Sequence, residues 1–207
     1  MRFDQIKYLN DIYYQSKVWQ HGVTSWHGYE MAKLATDILM YSELIFRIQP
    51  DVIIESGTYK GGSAKFFADM CKLNGKGHVI SVGNQWKEGL PPDKDIMFIF
   101  GDTLSEEVHN VIRISLDTYN DKVIFVSLDS AHDKAHVLKE ISLYKDYVSL
   151  GSYMVVEDGM AIFTQTSSEA NQAIDEFMRV TDEFVIDKDC EKFILTTNPN
   201  GWLKKIK

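Results

Sequence analysis

Val52-Ile53-Ile54-Glu55-Ser56-Gly57-Thr58-Tyr59-Lys60-Gly61-Gly62-Ser63 decides the fold. An apolar run ends in an acid, a glycine-rich turn follows, and residues 63–71 then carry Ala64, Phe66, Phe67, Met70 and Cys71 at helical spacing. Strand, acid, glycine turn and helix make the first unit of a nucleotide-binding α/β domain. The glycines let the backbone approach a ligand, and the helix start offers unpaired N–H groups.

Outward from that unit, strand and helix alternate. The spacing predicts strands over 52–55, 78–82, 96–100, 123–128 and 153–156. Helices are predicted over 62–73, after the capping box Thr103-Leu104-Ser105-Glu106, over 134–148, and from the capping box Thr166-Ser167-Ser168-Glu169 to about 180. Segments 183–186 and 192–196 read as a closing hairpin. Repeated β-α units with buried apolar strands predict an α/β fold with a doubly wound, mainly parallel sheet and one antiparallel strand from that hairpin. Upstream, 4–16 reads as a short helix. A longer helix over 29–48 puts Met31, Leu34, Ala35, Ile38, Leu39, Ser42, Ile45 and Phe46 on one face. No repeat or linker divides the 207 residues, so we expect one domain: a helical cap over 1–49 and an α/β core over 50–207.

Composition narrows the function. Net charge is -8, which argues against nucleic acid as the main partner. No segment reads as a signal peptide or a membrane span, so a cytoplasmic protein with no membrane partner is expected. Cys71 and Cys190 read as free buried thiols in a reducing compartment. The apolar and aromatic N-terminal helices are candidates to cap the sheet or to join two copies in a homo-oligomer.

The glycine turn indicates its ligand. Gly57-x-x-x-Gly61-Gly62 departs from the dinucleotide pattern Gly-x-Gly-x-x-Gly. Glu55, two residues before the first glycine, disfavours a pyrophosphate and favours a cationic or amine-bearing ligand. S-adenosylmethionine (SAM) fits that better than a dinucleotide; an ordinary α/β turn is the alternative.

Polar residues recur at predicted strand ends: Glu55, Asp102, Asp129 and Glu157-Asp158. Ligands sit beyond the C-terminal strand ends of open α/β sheets, so these acids form one cluster in space. If strands 123–128 and 153–156 are neighbours, Asp129 faces Glu157 and Asp158. Carboxylates at such range repel unless protonated or bridged by a cation, and Mg²⁺ or Mn²⁺ suits oxygen ligands. The alternative is helix capping or pairing with lysine. His132 sits where it can serve as a base or merely support a helix start, and His136 lies one turn further on. Trp26 and Tyr29 belong to an aromatic loop that reads as a substrate wall or as packing on the sheet edge.

The segments Trp26-His27-Gly28, Asp37 to Tyr41, Pro50-Asp51, Glu55-Ser56-Gly57, Gly61-Gly62-Ser63, Gly101-Asp102, Asp129-Ser130-Ala131-His132, Tyr153 to Asp158 and Pro199-Asn200-Gly201-Trp202-Leu203 resemble the cephalosporin hydroxylase / rhamnosyl O-methyltransferase family. Their order and spacing extend the resemblance over about 24–203. It implies a Rossmann-like class I SAM-dependent methyltransferase fold and a divalent metal at Asp129, Glu157 and Asp158. It also implies a small hydroxylated acceptor, a saccharide or natural product. On that reading Glu55 anchors the amino end of SAM, and Gly57, Thr58, Tyr59, Gly61, Gly62 and Ser63 lie along its methionine part. Asp102 and Thr103 meet adenine, Asn84 meets ribose, and Asp129 and His132 serve the chemistry. One departure stands out: methyltransferases of this class carry an acid at the end of the second strand, and here that strand ends Ser81-Val82-Gly83-Asn84. A non-catalytic binding module of the same fold is therefore the competing expectation, and a metal-dependent hydroxylase the third.

Overall fold

A computed structural model describes residues 8, 9, 12, 24–85, 88–118, 122–160 and 168–207. The helix expected over 4–16 lies outside these except for Tyr8, Leu9 and Ile12, which are helical.

The chain opens with a two-stranded antiparallel pair, β1 (Ser25–Trp26) and β2 (Tyr29–Glu30), followed by helix α1 (Ala35–Ile48). The α/β alternation then runs β3 (Val52–Ser56), α2 (Gly62–Leu73), β4 (His78–Gly83), β5 (Ile96–Phe100), α3 (Glu106–Leu116), β6 (Ile124–Leu128), α4 (Lys134–Tyr144), β7 (Tyr153–Val156) and α5 (Glu169–Val180). Strands β8 (Phe184–Ile186) and β9 (Trp202–Lys205) close the chain. The seven-stranded sheet has the order β5-β4-β3-β6-β7-β9-β8. Pairs from β5 through β7 are parallel, and β9 runs antiparallel to both its neighbours. This is the doubly wound, mainly parallel architecture that the alternation predicts. Among the described residues no helix is long and apolar enough to cross a membrane.

The sheet faces differ. Ile54, Ile80, Val82, Val126, Leu128, Met154 and Val156 pack beneath α3, α4 and α5. Ile53, Val79, Phe125, Tyr153, Val155 and Trp202 pack beneath α1 and α2, against Tyr41, Leu44, Phe66 and Phe67. Because strand side chains alternate, Glu55, Ser81 and Ser127 fall on this second face, as does Glu157, whose N–H continues the ladder to the Leu128 carbonyl. All four are buried.

Five expectations are corrected. Helix α1 starts at Ala35, because Tyr29–Glu30 pairs with Ser25–Trp26 instead of joining it. Its buried face is Asp37, Met40, Tyr41, Leu44 and Ile45, whereas Leu39 is 49% and Phe46 72% exposed. Polar Asp37 and Tyr41 lie inward because partners wait for them there. The hairpin partner of β8 is Trp202–Lys205, with Phe184 opposite Lys205; segment 192–196 is not a strand, and Ile194 there has φ +73°. Trp202 and Leu203 are both fully buried, one on each face, which settles the pairing. Finally, Ser105 rather than Thr103 caps α3, accepting from the Val108 N–H at 3.3 Å, and α4 ends at Tyr144.

Candidate functional site

A cavity of about 780 Å³ opens over the C-terminal ends of β3, β4, β6 and β7. Gly57, Thr58, Tyr59, Gly62, Ser63, Asn84, Asp102, Thr103, Asp129, His132 and Asp158 line it. Gly61 stands behind as the αL N-cap of α2. Glu55 and Glu157 also lie behind the wall.

Gly57 brings the first turn against the second. It has φ +99°, and a Cβ there would fall 1.9 Å from the Asp129 carbonyl oxygen. The Asp129 N–H in turn donates to the Ser56 carbonyl at 2.9 Å. The end of β6 is thereby fixed on the β3 turn, and Asp129 faces the cavity.

Glu55 is fully buried. Its Oε2 accepts from the Ser81 hydroxyl at 2.6 Å. Its Oε1 has no hydrogen-bond partner among the described residues. Burial raises its carboxyl to about 7, against the pull of the Lys33 charge. An unsatisfied buried oxygen costs on the order of 1–3 kcal/mol. A ligand ammonium over the glycine turn would relieve that cost, so the residues fit the amino end of SAM.

Asp129, His132 and Asp158 bring one ligand atom each within 4.8 Å of one another. His132 Nε2 lies 3.3 Å from Asp158 Oδ2 on the exposed rim. Asp158 has φ +55°, and its N–H donates to Asn198 Oδ1 at 3.1 Å. Asn198 is positioned from α1: the Thr197 N–H and hydroxyl both donate to Asp37 Oδ2 at 2.9 Å. Burial raises Asp37 to about 6. With the His132 imidazole beside them, the two carboxylates make a hard oxygen donor pair that fits a divalent ion such as Mg²⁺ or Mn²⁺. It is the inverse of the two-histidine, one-carboxylate iron set.

Glu157 stands apart from that trio. Its Oε1 accepts from Lys33 Nζ at 2.6 Å, Tyr41 OH at 2.7 Å and Ser127 Oγ at 2.8 Å. The alternation of β7 explains this: Glu157 continues inward on the α1 side, and only the left-handed turn at Asp158 brings the next side chain to the cavity.

Lys33, unremarked in the sequence, is the centre of this layer. Its Nζ also donates to Asp129 Oδ2 at 2.9 Å, and the residue is 4% exposed. Burial alone would lower its pKa, but Asp129, Glu157 and Glu55 override that and hold the ammonium above the ordinary lysine range. Burial, with Glu157 and Asp158 adding to it, pushes Asp129 up; Lys33 opposes. The sequence signal for Lys33 was indirect: five acids at the strand ends, Glu55, Asp102, Asp129, Glu157 and Asp158, require a cation from elsewhere.

At the other end, Asp102 Oδ1 accepts the Leu104 N–H at 2.9 Å. The buried Thr103 carbonyl receives Tyr144 OH and pairs with His109 Nε2. His136 Nε2 lies 3.1 Å from Ser130 Oγ and 3.3 Å from Thr103 Oγ1, and Ser130 donates to the buried Glu140 at 2.7 Å. Trp26 takes the packing role: its ring is edge-on to Phe66 and its N–H donates to Asp69.

A family model described as "Rhamnosyl O-methyltransferase/CmcI" matches residues 16–206. The chain belongs to that family. A rhamnosyl O-methyltransferase of Mycobacterium tuberculosis is 33% identical, over 92% of this chain and 81% of the relative. The Mycobacterium leprae protein of the same name is 32% identical, over 92% and 86%. Among solved structures, a CmcI complex with magnesium and SAM superposes with a TM-score of 0.69 at 19% identity, covering 90% of this chain and 78% of that one. An O-methyltransferase from Bacillus cereus with S-adenosylhomocysteine (SAH) gives 0.51 at 13% identity, covering 88% and 80%. The fold of this member is therefore that of the SAM-dependent methyltransferases.

Proposed function

We propose that this chain is a SAM-dependent, divalent-metal-assisted O-methyltransferase acting on a hydroxyl of a small molecule or saccharide. The observation that carries the reading is a single cavity with two chemically distinct ends. One end is the glycine turn over the unsatisfied Glu55 carboxylate; the other is the trio Asp129, His132 and Asp158. The names of the family's relatives support the reaction class and a saccharide acceptor.

Each residue then has a task. Glu55 and the Gly57–Ser63 turn seat the amino-acid part of the cofactor, with Asn84 at the ribose and Asp102 and Thr103 at the adenine. Asp129, Asp158 and Glu157 would hold the ion. The first two already share the rim with His132, whereas Glu157 stands one residue deeper, with its Oε1 held by Lys33, Tyr41 and Ser127. A bound divalent ion supplies acidification and alignment of the acceptor hydroxyl. His132, exposed and braced by Asp158, accepts the acceptor's proton. The protein's contribution is then chiefly position and electrostatics, with the methyl donor held in line with the acceptor oxygen.

Gly83 favours a second reading, a binding module of the same fold, because no side chain stands at the end of β4. Calorimetry with SAM and SAH, with and without Mg²⁺, separates the two. Asp129→Ala is expected to abolish methyl transfer, measured as SAH released with sugar acceptors, while SAM affinity stays within about threefold. Loss of both to the same degree in a folded variant would overturn this division of roles.

A further inference from the structure

A close contact stands at the end of the cavity assigned above to the nucleoside. Gly83 is the last residue of β4, one strand from the glycine turn. An ideal Cβ at Gly83 would lie 2.8 Å from Thr58 Oγ1 and 2.9 Å from Thr58 Cβ. Thr58 has no room to withdraw. It is 1% exposed, its N–H donates to the Val82 carbonyl at 3.2 Å, and its hydroxyl bonds Ser81 at 2.8 Å. Ser81 in turn donates to Glu55 Oε2 at 2.6 Å. The volume that a side chain at position 83 would fill is occupied by Thr58, and Thr58 is tied into the network that supports the Glu55 carboxylate.

Resting on the methyltransferase reading above, we propose that the pair Thr58–Gly83 sets how the cofactor's ribose is recognised: by uncharged groups, with no carboxylate on the diol. In doubly wound nucleotide folds an acid near this place bonds the ribose hydroxyls. Here Thr58, Asn84 and Gln85 of the cavity wall are neutral, and the lining carboxylate that follows the adjacent β5, Asp102, already holds the Leu104 N–H on its Oδ1 at 2.9 Å. A charge-assisted hydrogen bond is about twice as strong as a neutral one. Ribose therefore contributes little to affinity, and selection falls on the amino-acid end over Glu55 and on the adenine. A single change at position 83 does not restore the acid, because Thr58 blocks it; both positions have to change together.

Calorimetry on the full chain tests this with SAH and its 2′-deoxy and 3′-deoxy analogues, with and without Mg²⁺. Each analogue is expected to bind within about fivefold of SAH, the scale of one neutral hydrogen bond. Weakening of about 30-fold or more for either analogue would overturn the proposal, because a site built around a hydroxyl rejects the ligand that lacks it far more strongly. Gly83→Asp alone is expected to weaken SAH about tenfold or more by displacing Thr58. The double variant Thr58→Gly/Gly83→Asp is expected to recover binding and to acquire about tenfold discrimination against the 3′-deoxy analogue. Thermal melts check that each variant folds, and the wild-type analogue series decides the matter if the double variant does not. Failure of SAH to bind the wild type in either condition would remove the methyltransferase reading and this proposal with it. SAH binding with strong ribose discrimination would remove this proposal alone.

Discussion

The two faces of the central sheet are made by the same strands, yet they carry different loads. Beneath α3, α4 and α5 the inward strand residues are apolar except Ser56 at the end of β3, from Val52 and Ile124 to Val82, Leu128 and Val156. Beneath α1 and α2 the face starts apolar with Ile53, Val79 and Phe125 and turns polar at the C-terminal end with Glu55, Ser81, Ser127 and Glu157. The first face is held by burial, which has no directional demand. The second is held at its upper end by Lys33 and Tyr41, which must be in place atom by atom. The lesson is that the cavity stands on the less forgiving face, where stability and the proposed ligand site share residues.

Removing Lys33 should break the comparison most sharply. Lys33→Met leaves Asp129 and Glu157 facing each other without their cation, and taking one partner from a buried ion pair costs about 3–5 kcal/mol. Urea unfolding should show that loss, and adding Glu157→Gln should return about half of it. On the other face Ile112→Ala, fully buried in α3, should cost about 2–4 kcal/mol through the cavity it leaves. The variants are expected to differ in SAH affinity, which Ile112→Ala leaves unchanged and Lys33→Met does not. Equal SAH affinity in both would mean that the polar layer only supports the fold.

Glu55 gives a smaller effect with a definite sign. Its carboxyl rises from 4.5 to about 7 in the folded chain. The folded state therefore holds a proton that the unfolded state releases between those values, and stability falls as pH rises through this window, by roughly 3 kcal/mol at most. An ammonium ligand pairs with the ionised form, so SAH affinity should move the opposite way. It should rise up to about tenfold per pH unit below 7 and level off above. Glu55→Gln should bind more weakly and flatten both profiles. A wild-type affinity that does not change between pH 5 and pH 8 would place the ligand amine elsewhere.

Much of this was legible in the sequence because the strands are short, apolar and regularly spaced, and because turn glycines and capping residues punctuate them. Strands β3 to β7 fall within a residue or two of the expected spans, and most of the expected site residues line one cavity. What was not legible depends on tertiary partners. Lys33 is an ordinary lysine until three acids surround it. Glu157 and Asp158 are adjacent in sequence, yet strand alternation sends the first inward, and a left-handed turn takes the second to the rim. Trp202–Lys205 is a strand because a vacant edge of β7 receives it, while 192–196 has the better strand composition and lies elsewhere.

Helix α1 supplies the smallest expected effect and a sensitive control. Apolar periodicity alone assigns Leu39 and Phe46 to its inner face; the structure leaves Phe46 72% exposed and turns Asp37 and Tyr41 inward. An exposed side chain with no special contact changes stability by less than about 0.5 kcal/mol when replaced, so Phe46→Glu should melt with the wild type and leave SAH affinity untouched. A loss of about 2 kcal/mol or more that depends on protein concentration would show that Phe46 is covered by a second copy. The same loss independent of concentration would mean that the helix is rotated, with the apolar stripe inward. Tyr41 would then no longer reach Glu157, and the polar layer on the second face would lose its support from α1.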